Sequence, residues 1–279
     1  MEKDKLLIVE SGSTKSDWVL IDQSGEVISR IESQGWNPQM GLESNVVSSE
    51  IRDAIDHSAS VYFYSAGVSD EMTRKWVVEK LGAGDKVVVE NDLVAACRAG
   101  LGDQPGLVGI LGTGCNACHW DGQSASMNVP SLGYVLSDEG GGVDLGKELV
   151  RAYFYQEMPA ELRSLFETAY DVRKQTVLEN IYRKPYGNRY LAGFTPFISQ
   201  YEHEWLSNLV KFRFEVYIQK HVIPNFHKKR ENIAFVGSVA FAFKDILTEL
   251  CTSYNMEVVN ISKSATEGLI KYHTRQFYD

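Results

Sequence analysis

The sequence predicts an α/β protein of two lobes, the second laid out on the plan of the first. Three observations carry this. Short apolar β runs alternate with amphipathic helical stretches along the chain. At 279 residues the chain exceeds one small core and suits two lobes of about 140 residues each. A distinctive hairpin also occurs twice, at residues 6–22 (LLIVESGSTKSDWVLID) and 107–120. Each copy is an apolar run, a small-residue turn and a return strand containing Trp.

In the first copy, residues 6–9 form a buried strand and 18–21 its return, with Ser11, Gly12, Ser13 and Thr14 between them. Small residues let the backbone approach a ligand closely, successive amides can line one concavity, and Lys15 adds a positive charge. The turn therefore suits the phosphate tail of a nucleotide, and Glu10 at the strand end suits a hydrated metal; the alternative is an ordinary hairpin with a polar tip. Residues 22–25 make a turn and 26–33 a third strand, completing a meander. After an interruption at 34–38, residues 42–57 read as a helix, and strands at 61–65 and 86–90 flank a helix at 69–81 that ends near Gly82. Asn91 and Asp92 stand where the strand 87–89 gives way to a helix at 93–99. Functional side chains favour such strand ends in α/β sheets, although Asp92 there could simply cap the helix.

The second copy opens with a strand at 107–111, a turn at Gly112, Thr113 and Gly114, a return strand at 116–120, a turn at 121–123 and a third strand at 124–129. A glycine-rich segment at 133–142 then leads into a helix at 143–155 and a mostly helical stretch that includes a long amphipathic run at 202–227. Together, residues of about 143–231 read as a helical insertion. Asp138 could cap the helix beyond the glycines, but its glycine neighbours favour a ligand loop. The copy resumes with a strand at 233–236, a turn at Gly237 and Ser238, a helix at 239–254 and a last strand at 257–260. A final helix follows, with Ser262 as its N-cap. The expected lobes are residues 1–104 and 105–279.

The net charge of -9 argues against a general nucleic-acid binder. No apolar run approaches the roughly 20 residues that cross a bilayer, and the charged start MEKDK lacks a signal-peptide core, so a cytoplasmic location is expected with no membrane contact. Four cysteines fit a reducing compartment. Cys115 and Cys118 form a C-x-x-C, but no second pair follows at metal-ligand spacing, and the six histidines show none either.

The ordered motifs ESGSTKSDW, GWNP, END, LGTGCNA, SDEGGG and NIAFVGSVA resemble those of the actin-like, sugar kinase and Hsp70 ATPase superfamily, in the branch of the N-acetylglucosamine kinases and BadF/BadG-type ATPases. The resemblance covers nearly the whole chain. It implies duplicated ribonuclease H-like lobes, each a mixed five-stranded sheet with flanking helices, and a C-terminal helix at 262–277 that packs back on the first lobe. It also implies ATP and Mg²⁺ as cofactors. Gly12, Ser13, Thr14 and Lys15, with Thr113 and Gly114, would meet the phosphates, and Gly237 and Ser238 the adenosine. Asn37, Ser131, Gly133 and Asp138 would hold the sugar with Asn116 nearby, while Asp92 matches the catalytic aspartate. Glu10 would meet Mg²⁺, directly or through water. A homodimer is suggested by the resemblance alone.

Three positions depart from the pattern. Glu10 replaces the usual Asp, Cys115 stands where Ser is common, and Leu132 stands where the sugar kinases carry an aromatic. The expected activity is phosphorylation of an amino sugar, N-acetylglucosamine or a close relative, with Asp92 as base. The alternatives are a BadF-type ATPase activator subunit and a sugar or nucleotide sensor without turnover.

Overall fold

The computed structural model describes residues 5–12, 15–36 and 47–275. The predicted residues Ser13, Thr14 and Asn37 lie outside these. The first sheet is built from β1 (Leu6–Ser11), β2 (Lys15–Ile21), β3 (Val27–Gln34), β4 (Ser60–Ser65) and β5 (Val87–Asn91), in the order β3-β2-β1-β4-β5. β1 pairs antiparallel with β2 and parallel with β4, and β4 pairs parallel with β5. The helices are α1 (Ser49–Asp56), α2 (Glu71–Leu81) and α3 (Asp92–Leu101).

Local chemistry explains the helix ends. Ser48 caps α1 through the Ile51 amide, which puts the helix start later than the predicted residue 42; residues 42–46 are outside those described. Asp70 and Thr73 form a capping box on α2, which stops at Gly82 in the left-handed conformation. α3 is capped by Asn91, whose side chain accepts the Val94 amide at 2.8 Å. The expectation that Asp92 could serve as that cap is therefore corrected: Asp92 is the first helical residue, one position inside.

The second sheet repeats this topology. β6 (Gly106–Leu111), β7 (Cys115–Trp120), β8 (Ala125–Ser126), β9 (Glu231–Val236) and β10 (Met256–Ser262) lie in the order β10-β9-β6-β7-β8. β6 is antiparallel to β7 and parallel to β9, as β1 is to β2 and β4. Both sheets are mixed and five-stranded with flanking helices, the arrangement of duplicated actin-like ATPase lobes.

The third strand shrinks to two residues because Asn128 is drawn elsewhere. Its amide donates to Asn225 Oδ1 at 2.9 Å and its side chain to the Pro224 carbonyl at 2.7 Å. Between β8 and β9 lie α4 (Gly133–Leu136), α5 (Gly142–Phe154), α6 (Ala160–Ala169), α7 (Lys174–Tyr182), α8 (Gly187–Ala192), α9 (Pro196–Gln200) and α10 (Glu204–Tyr217). A π-helical turn (Ile218–Val222) and a 3₁₀ turn (Ile223–Asn225) follow, so the predicted amphipathic helix at 202–227 changes winding after Tyr217. The predicted helix at 239–254 breaks at Phe243 into α11 (Ser238–Ala242) and α12 (Lys244–Ser253). The last helix, α13, spans Thr266–Arg275, and Ser262 belongs to β10 rather than capping it.

Contacts divide the chain into two compact units. One contains residues 1–104, 122–125 and 264–279; the other contains 105–121 and 126–263. The first buries Leu7, Trp18, Trp36, Ile55, Phe63 and Leu81 in one core, with the Trp18 and Trp36 rings edge-on at 5.6 Å. The second buries Leu145, Phe166, Phe197, Phe214, Tyr217 and Phe235. Among the described residues no helix is long and apolar enough to cross a membrane.

Candidate active site

In the first unit, strand register aligns the functional edge. Ser11 pairs with Ser65 across β1 and β4, and Ser65 with Asn91 across β4 and β5, so the β1–β2 turn and Asp92 leave the sheet at the same carboxyl end. Gly12 is exposed and its amide closes the turn on the Lys15 carbonyl at 3.0 Å. Lys15 projects to the solvent and pairs with Glu32 at 3.0 Å, both side chains being about two-thirds exposed. Such a pair contributes at most about 1 kcal/mol and leaves the ammonium available.

The turn is anchored by serines that do not stand out in the sequence. The buried Ser11 hydroxyl accepts the Trp36 amide at 2.7 Å and lies 2.7 Å from the Ser16 hydroxyl. Ser65 donates to the Trp36 carbonyl from β4. Three hydroxyls at the sheet edge thus fix the Gly-Trp segment beside the turn.

Asp92 is partly exposed at the start of α3, and its capping duty is taken by Asn91. Burial, opposed by the amides of Leu93 and of Asp92 itself, pushes its carboxyl above the usual carboxylate range. This makes it a stronger proton acceptor than a solvated aspartate.

Glu10 shows why Glu rather than Asp can occupy the strand end. Its carboxylate reaches α13, where Thr266 donates its hydroxyl at 3.0 Å and the backbone around Ala265 and Thr266 adds hydrogen bonds. The same Thr266 hydroxyl is 2.8 Å from Asp17, which forms a bidentate pair with Arg30. Burial is the largest influence on Glu10 and raises its pKa, helped by the charge of Asp17 and opposed by these hydrogen bonds. Among the described residues no group of three or more His, Cys, Asp or Glu could hold a metal. One carboxylate does suit Mg²⁺ that arrives on nucleotide phosphates and keeps most of its waters. The Glu10 carboxylate therefore fits a nucleotide-borne ion.

In the second unit, residues far apart in sequence form one packed cluster. The amides of Gly142 and Val143 donate to the carbonyls of Gly112 and Thr113 at 2.8 and 2.9 Å, so the start of α5 grips the β6–β7 turn. Asp138 is buried, in a left-handed conformation (φ 71°), and its Oδ1 accepts the Cys115 amide at 3.0 Å. Burial pushes its carboxyl up, while the Cys115 amide pulls it down. A Cβ on Gly114 would lie 2.7 Å from Asp138 Oδ1, so only glycine admits this approach. A Cβ on Gly237 (φ 136°) would meet the Leu111 carbonyl at 2.2 Å, which sets Gly237 against the same turn. Asp144 fastens the cluster by accepting the Gly140 amide at 2.8 Å and both arms of Arg213 at 2.7 and 3.0 Å.

The structure thus brings Thr113, Gly114, Asp138 and Gly237 together, with Ser238 the exposed first residue of α11 beside Gly237. Asn116 is two positions along β7, its Oδ1 turned to the Ala117 amide at 2.9 Å. Ser131 and Gly133 are exposed at the head of α4, joined to the Asp138 segment by the Ser137 amide, which donates to the Gly133 carbonyl at 2.8 Å. Sequence reading missed the anchors Ser11, Ser16, Ser65, Asp144, Arg213 and Thr266. The Gly140–Asp144 spacing at a helix start was a readable signal for one of them.

Cysteine chemistry finds no support. None of the four cysteines is in a disulfide, and all are buried. Cys115 and Cys118, three apart on a strand, face opposite sides of the sheet. Burial raises the Cys115 thiol far from thiolate character, with the charge of Asp138 adding to it.

No family model matches the chain. A solved structure of a candidate N-acetylglucosamine kinase from Porphyromonas gingivalis is 33% identical, covers 97% of this chain and 99% of its own, and superposes with a TM-score of 0.89. The N-acetyl-D-glucosamine kinase of Dictyostelium discoideum is 24% identical over 54% of each chain. The N-acetylmuramic acid/N-acetylglucosamine kinase of Clostridium acetobutylicum is 28% identical over 37% of this chain and 35% of its own. The chain thus spans about half, or less, of the length of the curated relatives it matches. On the full-length likeness and the ordered motifs together, the chain belongs to the N-acetylglucosamine kinase branch of the actin-like and sugar kinase superfamily.

Proposed function

We propose that the protein is an ATP-dependent kinase that phosphorylates a hydroxyl of an amino sugar, N-acetylglucosamine or a close relative. The observation that carries this is Asp92: a carboxylate at the sheet's carboxyl edge, of raised basicity and relieved of capping by Asn91. Phosphoryl transfer through a loose transition state asks the protein for positioning and charge neutralisation more than for covalent help. In this reading the amides and hydroxyls of Gly12, Ser13 and Thr14, with Lys15, hold the β- and γ-phosphates. Thr113 and Gly114 contact the phosphates as well, while Gly237 and Ser238 lie along the adenosine. Asn37, Ser131, Gly133 and Asp138, with Asn116 nearby, orient the sugar. Asp92 accepts the proton of the attacking hydroxyl as its bond to phosphorus forms. Mg²⁺ bound with ATP would neutralise phosphate charge, and Glu10, whose carboxylate also takes hydrogen bonds from α13, would be the residue that holds it.

The test is ADP release measured across a panel of amino sugars and hexoses. Asp92→Asn should lower kcat by about 10² to 10⁴ with fold and nucleotide affinity retained. Because burial raises the Asp92 pKa, kcat/KM of the wild type should fall, as the pH drops, at a pH above the ordinary aspartate value of about 3.9. Wild-type protein that binds ATP yet turns over no sugar would hand the assignment to the activator or sensor readings.

A further inference from the structure

The helical insertion ends in a stretch of backbone with an unusual winding. After α10 the chain forms a π-helical turn in which the Ile223 amide donates to the Ile218 carbonyl, and then the 3₁₀ turn that begins before Pro224. Such turns cost stability relative to an α-helix and concentrate at functional sites. Here, residues 217–225 hold every described segment of the second unit that carries an expected sugar contact.

Tyr217, buried, donates its hydroxyl to the Asn116 carbonyl at 2.8 Å. Glu139, the neighbour of Asp138, has both oxygens engaged, with Lys220 Nζ on Oε1 and His221 Nε2 on Oε2, each at 2.8 Å. Burial pushes Glu139 up, but these two donors outweigh it and bring its pKa down to about 2. Glu139 is therefore ionised near neutral pH and only accepts, which assigns the proton to Nε2 of His221. Asn225, buried, accepts the Asn128 amide at 2.9 Å and donates to the His221 carbonyl at 2.7 Å, so the segment leading to Ser131 is tied to the same turn. His221 is 5% exposed and stacks on Tyr217 at 5.6 Å, whereas the Lys220 side chain is 61% exposed and screened by solvent.

We propose that the turn at 217–225 is the positioning element of the sugar side of the site, with His221 its central positioning residue. It sets Asp138 through Glu139, Ser131 through Asn225 and Asn128, and Asn116 through Tyr217. The proposal rests on the reading that Asn116, Ser131 and Asp138 meet the sugar.

The test compares His221→Phe, which keeps the ring and loses the donor, with His221→Gln, which keeps a donor. Sugar KM, nucleotide Kd and amide hydrogen exchange at 128–131 and 137–141 are measured on the full chain. His221→Phe should raise the sugar KM roughly tenfold or more, leave the nucleotide Kd unchanged and speed exchange at 137–141, while 128–131, tied through the His221 backbone carbonyl that both variants keep, should exchange as in wild type; His221→Gln should restore the KM and the exchange at 137–141. Unchanged KM and exchange in His221→Phe would overturn the proposal, as would equal weakening of nucleotide and sugar. If the wild type phosphorylates no sugar, the kinase reading fails separately. Hydrogen exchange then still decides the positioning role: acceleration at 137–141 in His221→Phe upholds it and no change there removes it.

Discussion

Ser11 illustrates how little a single residue's role can be read from its type. In the sequence it is one of several small polar residues in a turn. In the structure it is 1% exposed, and its oxygen serves the Trp36 amide at 2.7 Å. Replacing Ser11 with Ala should cost about 1–3 kcal/mol, because a buried amide loses its nearer acceptor and keeps only Ser16 at 3.2 Å. Thermal unfolding checks this, and a melting temperature equal to wild type would mean that Ser16 takes over fully. Asp92 shows the converse. Its position at a strand end was legible, because a β run gives way there to a helical pattern. The identity of the cap was not, since Asn91 and Asp92 are both good caps and only backbone geometry separates them.

At the scale of elements, the hairpins were the most legible features, because apolar runs bounded by small residues leave few alternatives. Elements whose extent depends on distant partners were less so. β8 stops at Ser126 because Asn128 bonds to the 223–225 turn, about a hundred residues away in sequence, which no local window contains. The tight fit of the β6–β7 turn against the Asp138 segment predicts a contrast between neighbouring glycines. A Cβ on Gly112 would meet nothing within 4 Å, whereas one on Gly114 would collide with the Asp138 carboxylate. Gly112→Ala should leave the melting temperature near wild type. Gly114→Ala should lower stability by roughly 1–3 kcal/mol and weaken sugar binding by displacing Asp138. Calorimetric unfolding and sugar titration of the two variants side by side would check this, and equal behaviour would remove Asp138 from that contact.

At the scale of the whole molecule, the two units share a strand order, but the first is completed only by the end of the chain. α13 packs on α3, β1 and β2. Thr266 from its first turn joins Glu10 and Asp17, and Leu269 and Ile270 are buried. His273 stacks on Tyr62 at 3.9 Å and meets the Tyr64 hydroxyl at 2.8 Å. The core of the second unit contains none of these residues. Removing residues 264–279 should therefore cost the first unit several large buried side chains, each worth about 2–5 kcal/mol, against a total stability for such a domain of about 5–15 kcal/mol. The first unit should lose its cooperative unfolding while the second keeps its own. Hydrogen exchange resolves the two: amides of β1, β4 and β5 should lose protection in the truncated chain, and those of β6, β9 and β10 should retain it. Protection lost equally in both sheets would mean that the units fold as one. Protection kept in both would mean that α13 contributes little, and the Glu10–Thr266–Asp17 linkage would then be a local contact at the phosphate turn and no support for the fold.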